Sequence, residues 1–333
     1  SSEAPEKASD TFVAAEKASS KEAAEARIIT VKTPLYTVYI SEDGAVFKGF
    51  ELENYRESAD KNATRKNLLD PEINSRNMKV SLAGNGLPGL ETAVFEADDI
   101  SDMIDVTDME RTLTFTWQSE NGVVVEKRFT FSPATYLIDL EIVFRKGSGS
   151  GFTDRAMVEI QHALPQKKGG YAFEGPSVLL NGKLEQIKVK KIEDNNRLSG
   201  SLSWLAIEDR YFMRSLIPAE PVEGIVRLAV KDQGLVVGQL QRPERTFLPG
   251  ESVRYGYKVF FGPKSMQLLN TLGYDLGKAV QFGMFSFIAK PLLWFMNFIY
   301  SVIPNYGIAI IILTIVTKIV LWPLGNKSYK SMS

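Results

Sequence analysis

The chain has no cysteine and one histidine, His162, in 333 residues. The first absence excludes disulfides, thiolate metal sites and a cysteine nucleophile. The second excludes multi-histidine metal centres, and any Ser-His-Asp triad would have to be built on His162. Charge of one sign is missing too: 39 Lys+Arg face 40 Asp+Glu. A nucleic-acid binder would show a basic excess, so no nucleic-acid partner is expected. Long apolar runs are absent from the first 281 residues and concentrated after them. A shift of that kind marks a change of solvent as well as of domain.

Residues 1–27 are rich in Ala, Glu, Lys and Ser. They carry too little apolar surface to fold alone and are read as a flexible tether. Because the chain starts at Ser1 without methionine, a signal peptide or first anchor upstream is expected.

From Ile28 the hydrophobic period becomes two. Leu113, Phe115 and Trp117 alternate with Thr112, Thr114 and Thr116, as a half-buried strand requires. Asn121-Gly122 and Asp232-Gln233-Gly234 supply positive-φ residues between extended runs, the mark of β-hairpins. Tyr136, Ile138, Leu140, Ile142 and Phe144 form another alternating face, and Val253 to Phe261 closes the series before Gly262-Pro263. Residues 28–263 are therefore expected to form one large antiparallel double sheet.

Large sandwiches of the sugar-mutarotase kind perform acid/base chemistry with histidines and a carboxylate in a cleft. Here only His162 is available, beside Gln161 near a strand end, and a structural role is favoured over catalysis. The acidic stretches Glu96 to Asp99 and Asp102 to Asp108 lack the glycine-containing calcium-loop spacing and read as solvated loops. No catalytic residue, metal ligand or cofactor is assigned.

Residues 264–281 read as a helical connector with Met266, Leu269 and Leu272 at near-helical spacing. In 282–303 the polar residues Ser286, Lys290, Asn297 and Ser301 fall within a stripe roughly 60° wide at 100° per residue. An aligned stripe suits a helix lying in the membrane plane better than one crossing it, with Trp294 sunk toward the acyl chains. Tyr306 to Leu324 is the transmembrane candidate, close to the ~20 residues a span needs. Tyr306 and Trp322 sit near its ends, where amphipathic rings prefer to lie, and Lys327 and Lys330 mark the following region, 325–333, as cytoplasmic. Lys318 lies inside this run, roughly 9 Å from its end. It either snorkels to the headgroups or faces a polar cavity, with Thr314 on its own face and Thr317 about 100° away.

The run GIAIIILTIVTKIVLWPLGNKSYKSM resembles the first span after the periplasmic domain of YidC-type membrane protein insertases. FGMFSFIAKPLLWFMNFIYSVIPNYG is similar to that family's interfacial helix. VKTPLYTVYISEDGAVFKGFELENY, WLAIEDRYFMRSLIP and FFGP resemble parts of its β domain. The resemblance implies a mainly β fold: a periplasmic mutarotase-like β-supersandwich followed by an interfacial helix and one transmembrane helix. It implies an insertase and chaperone of the bacterial inner membrane, acting on nascent inner-membrane proteins alone or with Sec translocon components. Five spans would enclose a hydrophilic groove, whose basic residue carries over to Lys318, with Thr314 and Thr317 beside it. The family commonly has arginine there; lysine keeps the charge and lacks the planar fork. The chain would then be a fragment ending just past the first of those spans. The alternative reading is a membrane-anchored carbohydrate-binding or mutarotase-like sandwich protein.

Overall fold

The computed structural model describes residues 26–60, 62–70, 73, 75–164, 172–280 and 286–331. The chain divides into two compact units, Ser1–Gly277 and Lys278–Ser333.

The first unit is built from strands. In chain order they are β1 (Ile28–Lys32), β2 (Tyr36–Ser41), β3 (Val46–Arg56), β4 (Arg65–Asn67) and β5 (Lys79–Leu82). Next come β6 (Glu96–Ala97), β7 (Met103–Asp105), β8 (Arg111–Gln118), β9 (Val123–Phe131) and β10 (Leu137–Lys146). They are followed by β11 (Phe152–Asp154), β12 (Ala156–Ala163), β13 (Gly175–Leu180), β14 (Lys183–Gln186) and β15 (Arg197–Glu208). The last are β16 (Phe212–Pro218), β17 (Val222–Lys231), β18 (Leu235–Gln241), β19 (Arg245–Phe247) and β20 (Ser252–Pro263).

Two sheets dominate. One has five strands in the order β4-β3-β2-β1-β7. The other has thirteen, along the path β5-β12-β18-β17-β15-β16-β20-β10-β9-β8-β6 with β13 and β14 attached at β15. Pairing is antiparallel except between β1 and β7. The hairpin turns fall where the residue chemistry places them. Gly122 between β8 and β9 has φ 69°, and Gln233 and Gly234 between β17 and β18 have φ 61° and 74°.

The inward faces meet in an aromatic core. Tyr36 stacks on Phe50 at 4.7 Å, Phe47 reaches Phe129 at 5.3 Å, and Phe50 reaches Phe261 at 5.3 Å. These contacts join β2 and β3 of the smaller sheet to β9 and β20 of the larger. Each such pair contributes roughly 0.5–1.5 kcal/mol beyond its buried area.

The connector holds helix α1 (Met266–Leu272), with Leu269 fully buried. The second unit contains α2 (Ser286–Val302) and α3 (Tyr306–Ser331), so helical backbone continues past the apolar run that ends at Leu324. Among the described residues, no helix is long and apolar enough to cross a membrane.

Candidate functional site

Two places carry the chemistry the sequence singles out: the helical unit and a buried polar cluster in the β unit.

In the helical unit, Asn305 caps α3, its side-chain oxygen accepting from the backbone N–H of Gly307 at 2.9 Å. Tyr306 packs on Tyr300 at 4.0 Å between ring centres, which fixes the corner between α2 and α3. Trp294 is 69 % exposed and stacks on Phe298 at 5.9 Å. Trp322 is exposed as well, and so are Ile308, Ile310, Ile311, Ile315 and Ile319. The Lys290 side chain lies outside the described residues. Lys318 is exposed on α3. Thr314 is also exposed, but its hydroxyl donates to Ile310 O at 2.7 Å. The Thr317 hydroxyl donates likewise to Leu313 O at 2.7 Å. Both threonines thus spend their one hydroxyl proton on their own helix, and only their oxygen lone pairs are left to accept.

In the β unit, His162 lies on β12, half-buried, with Nε2 3.7 Å from Asp209 Oδ2 and without a hydrogen-bond partner. Asp209 is already engaged. Its Oδ1 accepts from the backbone N–H groups of Tyr211 and Phe212 at 2.9 and 2.7 Å, closing the β15–β16 turn. Its Oδ2 lies 3.2 Å from Arg214 Nη1. Arg214 is fully buried and also donates through Nε and Nη2 to Leu68 O, at 3.1 and 2.7 Å. Burial pushes the Arg214 guanidinium down to about 10, against the opposing pull of Asp209. Burial, then the positive charge of Arg214, holds His162 well below its ordinary range, so it sits neutral.

Next to it, Lys264 Nζ bonds Glu208 Oε2 at 3.0 Å and Asp209 O at 2.8 Å. Burial raises the Glu208 carboxyl, and Lys264, Ser177 and Gln186 pull it back. This cluster ties the end of β15 to the residue that follows β20. Asp209, Arg214, Glu208 and Lys264 hold one another by ion pairs, while His162 Nε2 and Glu208 Oε1 have no hydrogen-bond partner.

A further buried cation carries no assignment from the sequence. Lys127 on β9 is wholly shielded, and its ammonium donates to Gly44 O at 2.9 Å, Met78 O at 2.7 Å and Ala45 O. Gly44, Ala45 and Met78 all have positive φ, which turns their carbonyls away from the strand ladders and toward one point. Three acceptors use all three ammonium protons. Beside it, Arg76 grips Asp43 with two bonds of 2.7 and 2.9 Å. The guanidinium lies so close under Gly44 that a Cβ there would meet Nη2 at 2.6 Å. A signal for Lys127 existed: the period of two that buries Val123, Val125, Phe129 and Phe131 puts Lys127 on the same face. Arg214 and Lys264 had no comparable mark.

The acidic stretches are occupied locally. Asp98 Oδ1 accepts from Thr114 N–H at 2.9 Å, Asp99 Oδ1 from Ser101 N–H at 2.8 Å, and Asp102 lies 3.7 Å from Arg27.

With this geometry in view, comparison with known proteins is informative. Residues 28–295 match the family described as the YidC periplasmic domain. The membrane protein insertase YidC of Syntrophus aciditrophicus is 35% identical over 308 residues, covering 91% of this chain and 57% of its own length. That of Geobacter metallireducens is 32% identical, covering 93% of this chain and 58% of its own length. The chain thus spans under three fifths of the relatives it matches. Among solved structures, a galactose mutarotase related enzyme from Lactobacillus acidophilus superposes with a TM-score of 0.50 at 11% identity, covering 71% of this chain and 97% of that one. That likeness concerns the fold, a mutarotase-like antiparallel sandwich. The chain belongs to the YidC family, and residues 28–295 carry that family's periplasmic domain.

Proposed function

We propose that this chain is the envelope-facing domain of a membrane protein insertase together with the first span that follows it. The β unit lies in the periplasm of a bacterial inner membrane. Helix α2 lies in the membrane plane, α3 spans with Lys327 and Lys330 on the cytoplasmic side, and Lys318 belongs to a groove that receives polar segments of nascent inner-membrane proteins. Sec translocon components are the expected partners, and no catalytic step is involved.

The observation that carries this reading is the exposed apolar surface of α3, where Ile308, Ile311, Ile315 and Ile319 line one face and Ile310 lies on the far side. A helix in water would hide such residues on one face. Relatives at 30–35% identity bear the insertase name over nearly the whole of this chain. The likeness to mutarotase-related structures is confined to the fold, at 11% identity, whereas the insertase relatives match nearly the whole chain.

The test uses the complete protein. A positive charge at depth is costly unless it faces polar partners, so Lys318 in a spanning helix points to a polar groove. Lys318→Ala should impair insertion of clients with acidic extracellular segments, and Lys318→Arg should preserve it. Unchanged insertion with Lys318→Ala would remove Lys318 from the mechanism.

A further inference from the structure

The loop and strand between β6 and β8 are unlike the rest of the β unit. From Glu96 to Glu110 the chain holds seven acidic residues and no lysine or arginine. Ile100, Met103 and Met109 are 93, 66 and 63 % exposed within the same stretch. Exposed apolar groups on an acidic segment disfavour both the aqueous interior of a salt-bridged loop and an anionic lipid surface.

The backbone adds a second, independent observation. Strand β7 ends the five-stranded sheet: it pairs with β1, and among the described residues no strand pairs with its outer side. Thr30 N–H donates to Asp102 O and Val106 N–H to Lys32 O, both at 2.8 Å. Alternation along a strand then turns the N–H and C=O groups of Met103 and Asp105 outward. Across from it, β6 pairs only with Phe115 and Thr116 of β8. Thr114 N–H and C=O are taken by Asp98, at 2.9 Å each. Thr112, two residues earlier, presents its N–H and C=O on the same side, beyond the reach of β6.

Between these edges lies a cleft of about 370 Å³, lined by Asp99, Met103, Asp105, Arg111 and Thr112 over a floor that includes Leu113 and Phe131. Two carboxylates face one guanidinium there, so the lining keeps a net negative charge.

We propose that this slot binds an extended, lysine-bearing segment of a partner protein by strand addition to β7. Main-chain bonds to Met103 and Asp105 give affinity, an apolar side chain packs on the exposed Met103, and lysines meet Asp99 and Asp105. Charge complementarity selects the partner, because an acidic strand would be repelled.

The test uses the full chain in detergent micelles and a fluorescent probe peptide, Lys-Val-Lys-Val-Lys-Val-Lys. Anisotropy should show saturable binding, and hydrogen exchange should slow at the Met103 and Asp105 amides. Asp105→Lys should weaken binding at least tenfold. Met103→Pro should do the same by removing an outward donor; proline is tolerated on an edge strand facing solvent, and an unchanged melting temperature would confirm the fold. No binding would overturn the proposal. Equal binding of a Glu-Val peptide, or of the Lys-Val peptide with proline at its centre, would also overturn it, as would binding that leaves exchange at Met103 and Asp105 unaltered. Self-association abolished by Asp105→Lys would assign the slot to a second copy and overturn it as well.

Discussion

The Lys264 ammonium lies 3.0 Å from the Glu208 carboxylate, and both side chains are nearly sealed from water. The pair joins the end of β15 to the residue that follows β20, so it fastens the place where the chain leaves the β unit. Removing one partner strands a buried charge. Lys264→Ala should therefore cost about 3–5 kcal/mol, lowering the melting temperature by roughly 10 °C or more for a domain of this size. Glu208→Gln combined with Lys264→Met should cost less than Lys264→Ala alone, because no charge is left unpaired. Thermal unfolding of the two variants checks this; equal losses would show that packing, not charge, dominates.

Lys127→Met should destabilise the β unit strongly. It removes the three bonds that satisfy Gly44 O, Ala45 O and Met78 O, and each carbonyl left unsatisfied costs about 1–3 kcal/mol. The expected loss is about 3 kcal/mol or more in urea unfolding. Gly44→Ala should also destabilise, since it forces a Cβ against Arg76 and strains a φ of 77°. A neutral outcome for Lys127→Met would mean that water reaches those carbonyls.

His162 sets a pH dependence whose sign follows from its burial. Its pKa is lower folded than unfolded, so its contribution is complete above the unfolded value of about 6.5 and is lost as pH falls below it. The slope is at most about 1.4 kcal/mol per pH unit. Carboxylates titrate nearby, and Glu208, whose carboxyl is raised, acts in the opposite sense, losing its contribution as pH rises. The decisive measurement is therefore a difference: denaturant unfolding of the native chain and His162→Gln from pH 8 to 5. The native chain should lose more stability on acidification than the variant. Parallel curves would contradict a buried neutral histidine.

Thr314→Val and Thr317→Val should leave insertion of acidic clients within about twofold of the native protein. Each hydroxyl donates to its own helix at 2.7 Å, and valine keeps the side-chain shape. Lys318→Ala, tested beside them in the complete protein, should show the larger loss. A large defect in either threonine variant would mean that the hydroxyl leaves its backbone acceptor when a client arrives.

Local patterns carried much of the architecture. The alternation of Leu113 and Phe115, the apolar face from Ile138 to Phe144 and the turns at Gly122 and Gly234 reappear as strands and hairpins. A period of two, and residues that tolerate positive φ, act within a few positions of themselves, so one strand suffices to read them. The same is true of the apolar run after residue 281, whose composition alone changes the solvent it prefers.

Other features needed the tertiary structure. His162 carries no sign that Asp209 and Arg214, far along the chain, would enclose it. Lys264 and Glu208 are 56 residues apart, and Lys127 reaches Gly44 across 83. The parallel docking of β7 on β1, which leaves an open edge beside β8, is likewise invisible in the run of acidic residues that contains it. Composition and periodicity determined that this chain would be a sheet-rich domain followed by an apolar helical segment, because hydrophobic burial follows short-range patterning. Folding alone decided which charges share a dry interior and which strand edge stays open, because such pairings depend on the order in which distant strands meet.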